Sequence, residues 1–138
     1  MNRSPANKEK SAQSTRCNRW TARKFLHALG GGDFAFQTFD DNAKRKSRNF
    51  AHVRHGTIDQ HFDALEGLNN KGAGIFVTIN RTDGKGRKSD NVVGIRAVFV
   101  DLDGAPLAPI MQWILPPHIV VESSAGRYHA YWIVDDTV

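Results

Sequence analysis

The chain has 138 residues, enough for one domain with a real hydrophobic core, and its 40% hydrophobic and 24% charged content argues against a wholly disordered polymer. Its net charge is +5, with 19 Lys and Arg against 14 Asp and Glu. A single cysteine, Cys17, excludes an internal disulfide and fits a reducing cytoplasm; no apolar run reaches spanning length and the N-terminus lacks the apolar stretch of a leader, so a soluble, intracellular protein is expected.

Residues 1–17 are polar and basic, with almost nothing to bury, and are expected to form a flexible basic tail ahead of one domain over 18–138. From Asn18 to Leu29 the apolar residues Ala22, Phe25, Leu26 and Leu29 fall at helical spacing, and Gly30-Gly31-Gly32 ends the pattern. Phe34 to Phe39 alternates as a strand, with Phe34, Phe36 and Thr38 on one face. A basic turn through Lys44-Arg45-Lys46 leads to a second strand expected around Asn49 to Arg54.

Thr57-Ile58-Asp59-Gln60 reads as a capping box for a helix that buries Ile58, Phe62 and Leu65 and stops near Asn69-Asn70-Lys71-Gly72. Ile75 to Asn80 is rich in β-branched residues and predicts a strand. Arg81 to Asp90 has no apolar residue, so an exposed basic loop is expected there. Val92 to Asp103 carries the strongest strand signal, and Pro106 to Leu115 predicts a short helix closed by Pro116-Pro117. His118–Ser123 and Tyr128–Val134 predict a hairpin turning through Ser124-Ala125-Gly126-Arg127. Helices mixed with hairpins imply an α+β fold, a mixed or antiparallel sheet with flanking helices.

Two stretches carry chemistry. In Val98-Phe99-Val100-Asp101-Leu102-Asp103-Gly104, strand spacing would project Asp101 and Asp103 from one face with Cα atoms about 7 Å apart, while Val98, Val100 and Leu102 bury the other. Two such carboxylates repel unless a cation lies between them, and a hard divalent ion with oxygen ligands suits that place. Asp-Gly after a buried strand is also ordinary turn chemistry. In Glu122-Ser123-Ser124-Ala125-Gly126-Arg127-Tyr128-His129, hydroxyls, turn N–H groups, a guanidinium and an imidazole could all meet phosphate oxygens. The plain alternative is a stable hairpin in which His129 packs beside Tyr131. His52, His55 and His61 straddle a strand and a helix with no accompanying acid or cysteine pattern, so a surface role is expected for them.

The order and spacing of these stretches resemble the archaeo-eukaryotic primase superfamily, and more closely the RepB-like primase domains of plasmid and phage replication proteins. The resemblance runs from about Trp20 to Asp136, through Phe36–Asp41, Asn69–Asn80, Thr82–Arg87, Arg96–Gly104 and Pro117–Ser124 to Tyr131-Trp132. It implies an RRM-like core and a cytoplasmic nucleotidyltransferase that makes primers on single-stranded DNA from nucleoside triphosphates, with a replicative helicase as a partner in some settings. It further implies that Asp101 and Asp103 bind catalytic Mg2+ or Mn2+. His129 would contact the incoming triphosphate with help from Ser124 and Arg127, and Arg81, Lys85, Arg87 and Lys88 would lie near DNA.

The family's third acidic motif, on a strand beyond the hairpin, has no convincing counterpart, since Asp135 and Asp136 follow the hairpin strand directly. The expectation is therefore a partial copy, incomplete in its fold and inactive alone. Two other classes compete. Asp101-Leu102-Asp103-Gly104 also matches the opening of haloacid-dehalogenase-like phosphatases, with Asp101 as nucleophile, although Ala105 stands where that motif has threonine. The third class is a non-catalytic nucleic-acid-binding remnant held by the basic segments.

Overall fold

The structure is a computed structural model and describes residues 18–134. The basic tail expected over 1–17, and with it Cys17, lies outside the described residues, as do Asp135 and Asp136.

Asn18 caps helix α1 (Arg19–Ala28), its side chain accepting from the Thr21 N–H at 3.1 Å. The helix ends in a Schellman arrangement. Gly31 N–H donates to Leu26 O and Gly30 N–H to His27 O, with Gly30 at φ +110°, a conformation that favours glycine. Strand β1 (Phe34–Asp40) follows and is the centre of a three-stranded antiparallel sheet with β2 (His52–Gly56) on one side and β3 (Ala73–Thr78) on the other. The face of β1 carrying Phe34, Phe36 and Thr38 is buried, as its alternation predicts.

The second strand starts later than expected. Residues Arg48–Phe50 form a 3-10 turn whose Ser47 side chain accepts from Asn49 N–H, so pairing with β1 begins at His52. Helix α2 (Ile58–Asn70) opens with the reciprocal bonds of a capping box, Gln60 N–H to Thr57 Oγ1 at 3.2 Å and Thr57 N–H to Gln60 Oε1 at 2.9 Å. It buries Phe62 and Leu65.

Arg81 to Asp90 is not all loop. β4 (Arg81–Thr82) pairs antiparallel with β5 (Val92–Gly94), closing a small ribbon over the polar segment. The single strand expected over Val92–Asp103 is thereby split, because β6 (Ala97–Asp101) pairs with a different neighbour. The break falls at Ile95-Arg96, where the Asn80 side chain accepts from both Arg96 N–H (3.0 Å) and Ala97 N–H (3.4 Å).

The helix expected from Pro106 to Leu115 is reduced to α3 (Ala108–Met111). Pro116 disfavours helical geometry at Leu115, and Trp113, Ile114 and Leu115 stand exposed. β7 (Ile119–Ser124) and β8 (Arg127–Ile133) form the expected hairpin, and the sheet order β6-β8-β7 makes β8 central. The architecture is α+β, with three small antiparallel sheets in place of one mixed sheet.

One core joins these pieces. Leu26 and Leu29 of the first helical segment, Phe34 and Phe36 of β1, Leu65 of α2, and Ala97 and Tyr131 of the last sheet form a continuous cluster. Phe25 stacks edge-on against Tyr131 with ring centroids 5.3 Å apart. The opposite face of the last sheet is only partly covered: Ala130 is buried there, and Trp132 Nε1 donates to Leu115 O at 2.9 Å. Val98 is 59% exposed and Val100 is exposed beside it, which corrects the expectation that they bury one face of their strand. Ala97, Phe99 and Asp101 share the face turned toward Tyr131, so strand parity leaves Val98 and Val100 on the other. Among the described residues no helix is long and apolar enough to cross a membrane.

Candidate active site

β6 delivers Asp101 to the end of the sheet and stops there. In antiparallel register Asp101 lies opposite His129, and its Oδ2 is 3.5 Å from His129 Nε2. The other ring nitrogen, Nδ1, lies 3.3 Å from the Tyr131 hydroxyl, two residues along the same face of β8. Burial, and then the charge of Asp101, push the Tyr131 hydroxyl above its usual pKa, so it remains a proton donor. The tautomer in which Tyr131 donates to Nδ1 would direct an Nε2 proton at Asp101, whereas the other would have Nδ1 donate to the Tyr131 hydroxyl.

Asp103 is not on the strand. Asp101 Oδ1 accepts from Asp103 N–H at 2.9 Å, which closes a tight turn, and Asp103 adopts the left-handed conformation at φ +43°. The turn is tied to β8, since Leu102 N–H donates to Tyr128 O at 3.0 Å. This corrects the strand-spacing argument: the two carboxylates are brought together by a turn and not by period-two alternation. Gly104 follows at φ +88° and Ala105 N–H returns to Leu102 O.

Arg127 completes the group. Its NH1 donates to Asp103 Oδ1 at 2.9 Å, and both side chains are well exposed. The hairpin tip that presents it is held by Glu122 Oε1, which accepts from Gly126 N–H at 3.0 Å, and by Ser123 Oγ, which donates to Arg127 O at 3.3 Å. Ser124 pairs with Arg127 across the tip and is exposed. Asp101, Asp103, Arg127 and His129 therefore converge, with Ser124 at the adjoining turn.

The expected DNA-binding residues lie elsewhere. Arg81 begins β4, and Lys85, Arg87 and Lys88 follow on the ribbon loop. β5, the ribbon's other strand, leads into the start of β6, while Asp101 ends β6. The ribbon and β6 belong to separate sheets. Asp83 shapes that loop: the Lys85 N–H foremost, with the Asn91 amide, holds its carboxyl below the usual carboxylate range. Arg87 Nε donates to Thr78 Oγ1 at 3.1 Å.

The three histidines weighed as ligands do not converge on a site. His52 Nε2 contacts Asn49 O and His61 Nε2 contacts His55 O. Among the described residues no three His, Cys, Asp or Glu side chains are gathered closely enough to hold a metal ion by themselves. The pair of carboxylates still suits a hard divalent cation. Asp103 Oδ2 accepts no hydrogen bond from the described residues and Asp101 keeps free lone pairs, while Mg2+ needs only one or two carboxylates when phosphates and water supply the rest.

Sequence reasoning passed over two residues. Tyr131 was legible, since it shares a strand face with His129 at spacing two. Arg96 was not, because its burial depends on carbonyls far away in the chain. Its guanidinium donates to Asp33 O (2.7 Å), Gly31 O (3.4 Å) and Ile79 O (3.4 Å) and lies 3.9 Å over the Phe34 ring.

No protein family, curated protein or solved structure matches the chain.

Proposed function

We propose that the chain is a nucleotidyltransferase domain of the DNA primase type, acting on nucleoside triphosphates and single-stranded DNA as part of the replication protein of a plasmid, phage or other mobile element. The observation that carries this reading is the convergence of Asp101, Asp103, Arg127 and His129 at one end of the last sheet. Two carboxylates beside a guanidinium and an imidazole offer ligands for a cation and donors for the phosphates that accompany it.

Asp101 and Asp103 would hold Mg2+ or Mn2+, which when bound neutralises phosphate charge as the bond at the α-phosphate is exchanged. Arg127 would leave Asp103 for phosphate oxygens, a pairing a guanidinium makes bidentately. His129 would donate from Nε2 to the same triphosphate, in the tautomer whose Nδ1 accepts from Tyr131. Ser124 would add a hydroxyl from the hairpin tip. Arg81, Lys85, Arg87 and Lys88 would hold template phosphates away from the reacting centre.

Binding of a fluorescent nucleoside triphosphate to the full chain, with and without Mn2+, tests the reading. Mn2+-dependent binding that falls at least about tenfold in Asp101→Asn supports it. Equal binding by wild type and variant sinks it.

A second reading has an observation of its own. The Asp101–Asp103 turn satisfies itself and Arg127 already neutralises Asp103, as a purely structural turn would require. A non-catalytic single-strand binder would then bind oligonucleotide with steep salt dependence and without regard to Asp101. The phosphatase alternative draws less support: β6 runs antiparallel to its hydrogen-bonded neighbour β8, whereas that chemistry is built on a doubly wound parallel sheet.

A further inference from the structure

A cavity of about 590 Å³ opens between the glycine turn after α1, the end of β2 and the start of the β4–β5 ribbon. That volume suits a nucleotide-sized ligand. Arg81 and Arg96 line it, together with Thr82, Asp33 and Asp83.

The charges in this cavity are incompletely matched. Arg96 is 6% exposed, and its donors go to carbonyl oxygens and not to a carboxylate. Neither Arg81 nor Arg96 forms a salt bridge among the described residues. Both cations line one cavity, and burial foremost, then the charge of Arg81, press the Arg96 pKa downward. Of the two acids at the rim, Asp83 is engaged by Lys85 N–H and Asn91, and Asp33 alone offsets Arg96.

One hydroxyl adds a donor. Thr82 Oγ1 accepts from Gly84 N–H, so its own proton is free to donate. Two guanidinium cations that form no direct ion pair among the described residues, with an added hydroxyl and room for a ligand, describe a receptor for an anion rich in oxygen.

We propose that this cavity binds a phosphate group, with Arg81 as the principal contact, Thr82 as a further donor, and Arg96 as a fixed positive floor. The phosphate belongs either to the backbone of single-stranded DNA or to the tail of a free nucleotide. The site stands apart from Asp101 and needs no metal ion.

The test is calorimetric titration of the full chain with pyrophosphate at low salt, with EDTA present so that any metal-dependent binding at Asp101 stays silent. Arg81→Glu should weaken pyrophosphate at least about tenfold, since it removes a charge-assisted contact. Arg81 makes no side-chain hydrogen bond or ion pair among the described residues, so the variant should fold, and circular dichroism checks this. Lys44→Glu, with the same charge change outside the cavity, should alter affinity less than about threefold. Displacement by an oligothymidylate assigns the site to backbone phosphate. Displacement by thymidine triphosphate but not by the oligonucleotide assigns it to a nucleotide tail. No pyrophosphate binding by wild type, or equal loss in Arg81→Glu and Lys44→Glu, overturns the proposal.

Discussion

Asp101 and His129 stand directly opposite each other across β6 and β8, with Oδ2 3.5 Å from Nε2, and Tyr131 backs the imidazole from its other side. Register alone makes this contact, so a one-residue slip of β6 on β8 would turn Asp101 to the opposite face. The buried anchors of that register are Ala97 and Tyr131, which belong to the core shared with α1 and β1. The candidate site is thus positioned by packing some distance from it.

Arg127 competes with any cation for Asp103, because its guanidinium already occupies Oδ1 at 2.9 Å. Arg127→Met should therefore tighten Mn2+ binding several-fold while weakening binding of a nucleoside triphosphate. Electron paramagnetic resonance of free Mn2+ reads the first effect and fluorescence anisotropy the second. Parallel weakening of both would mean that Arg127 only supports the hairpin.

Asp40 clamps the basic turn after β1. Its side chain is 2% exposed and accepts two bonds from Arg45, at 2.7 and 2.8 Å, and one each from the backbone N–H groups of Ser47 and Asn42. Chiefly the Arg45 guanidinium, together with those N–H groups, holds its carboxyl far below the usual carboxylate range. A depressed folded-state pKa adds stability above the unfolded value, near about 4, that is lost as pH falls through the folded one. Melting temperature should accordingly decline below about pH 4 in the wild type. Asp40→Asn should melt lower at neutral pH and show a flatter acid limb; parallel curves would remove Asp40 from the account.

Much of this architecture could be read locally. The Thr57–Gln60 capping box, the Asn18 cap and the alternation of β1 depend on residues within a few positions of one another, and each forms as its pattern implies. The division of Val92–Asp103 could not be read that way, because Asn80, sixteen residues before Arg96, supplies the acceptor that breaks the strand. Asp-x-Asp was ambiguous for a different reason. Two acids at spacing two suit both a strand face and a side-chain-closed turn, and the positive φ of Asp103 decides for the turn. The gathering of Asp101 with His129 follows the motifs, whereas the separation of the basic loop from them needed the ribbon pairing.

Arg96 holds three separate carbonyls around one buried guanidinium, so its replacement strands acceptors in the loop between α1 and β1 and just after β3. Arg96→Met should lower unfolding free energy by about 2–4 kcal/mol in urea titration. A loss below about 0.5 kcal/mol would show that those carbonyls find other partners.

β6 is an edge strand among the described residues, and its outer face adds Val98 and Val100 to exposed Trp113, Ile114 and Leu115. Such an edge favours strand addition and clustering. Val98→Lys should reduce concentration-dependent association in sedimentation velocity while changing stability by less than about 0.5 kcal/mol. Unchanged association would place the sticky surface elsewhere.

The most direct test of the proposed function asks where a divalent cation binds. Mn2+ added in substoichiometric amounts to isotopically labelled protein broadens the NMR signals of nearby amides. The account predicts that Asp101 to Gly104 and Arg127 to His129 broaden first, and that Asp101→Asn abolishes the effect. Broadening that instead follows exposed acids such as Asp59 and Asp63, or that survives in Asp101→Asn, would contradict it.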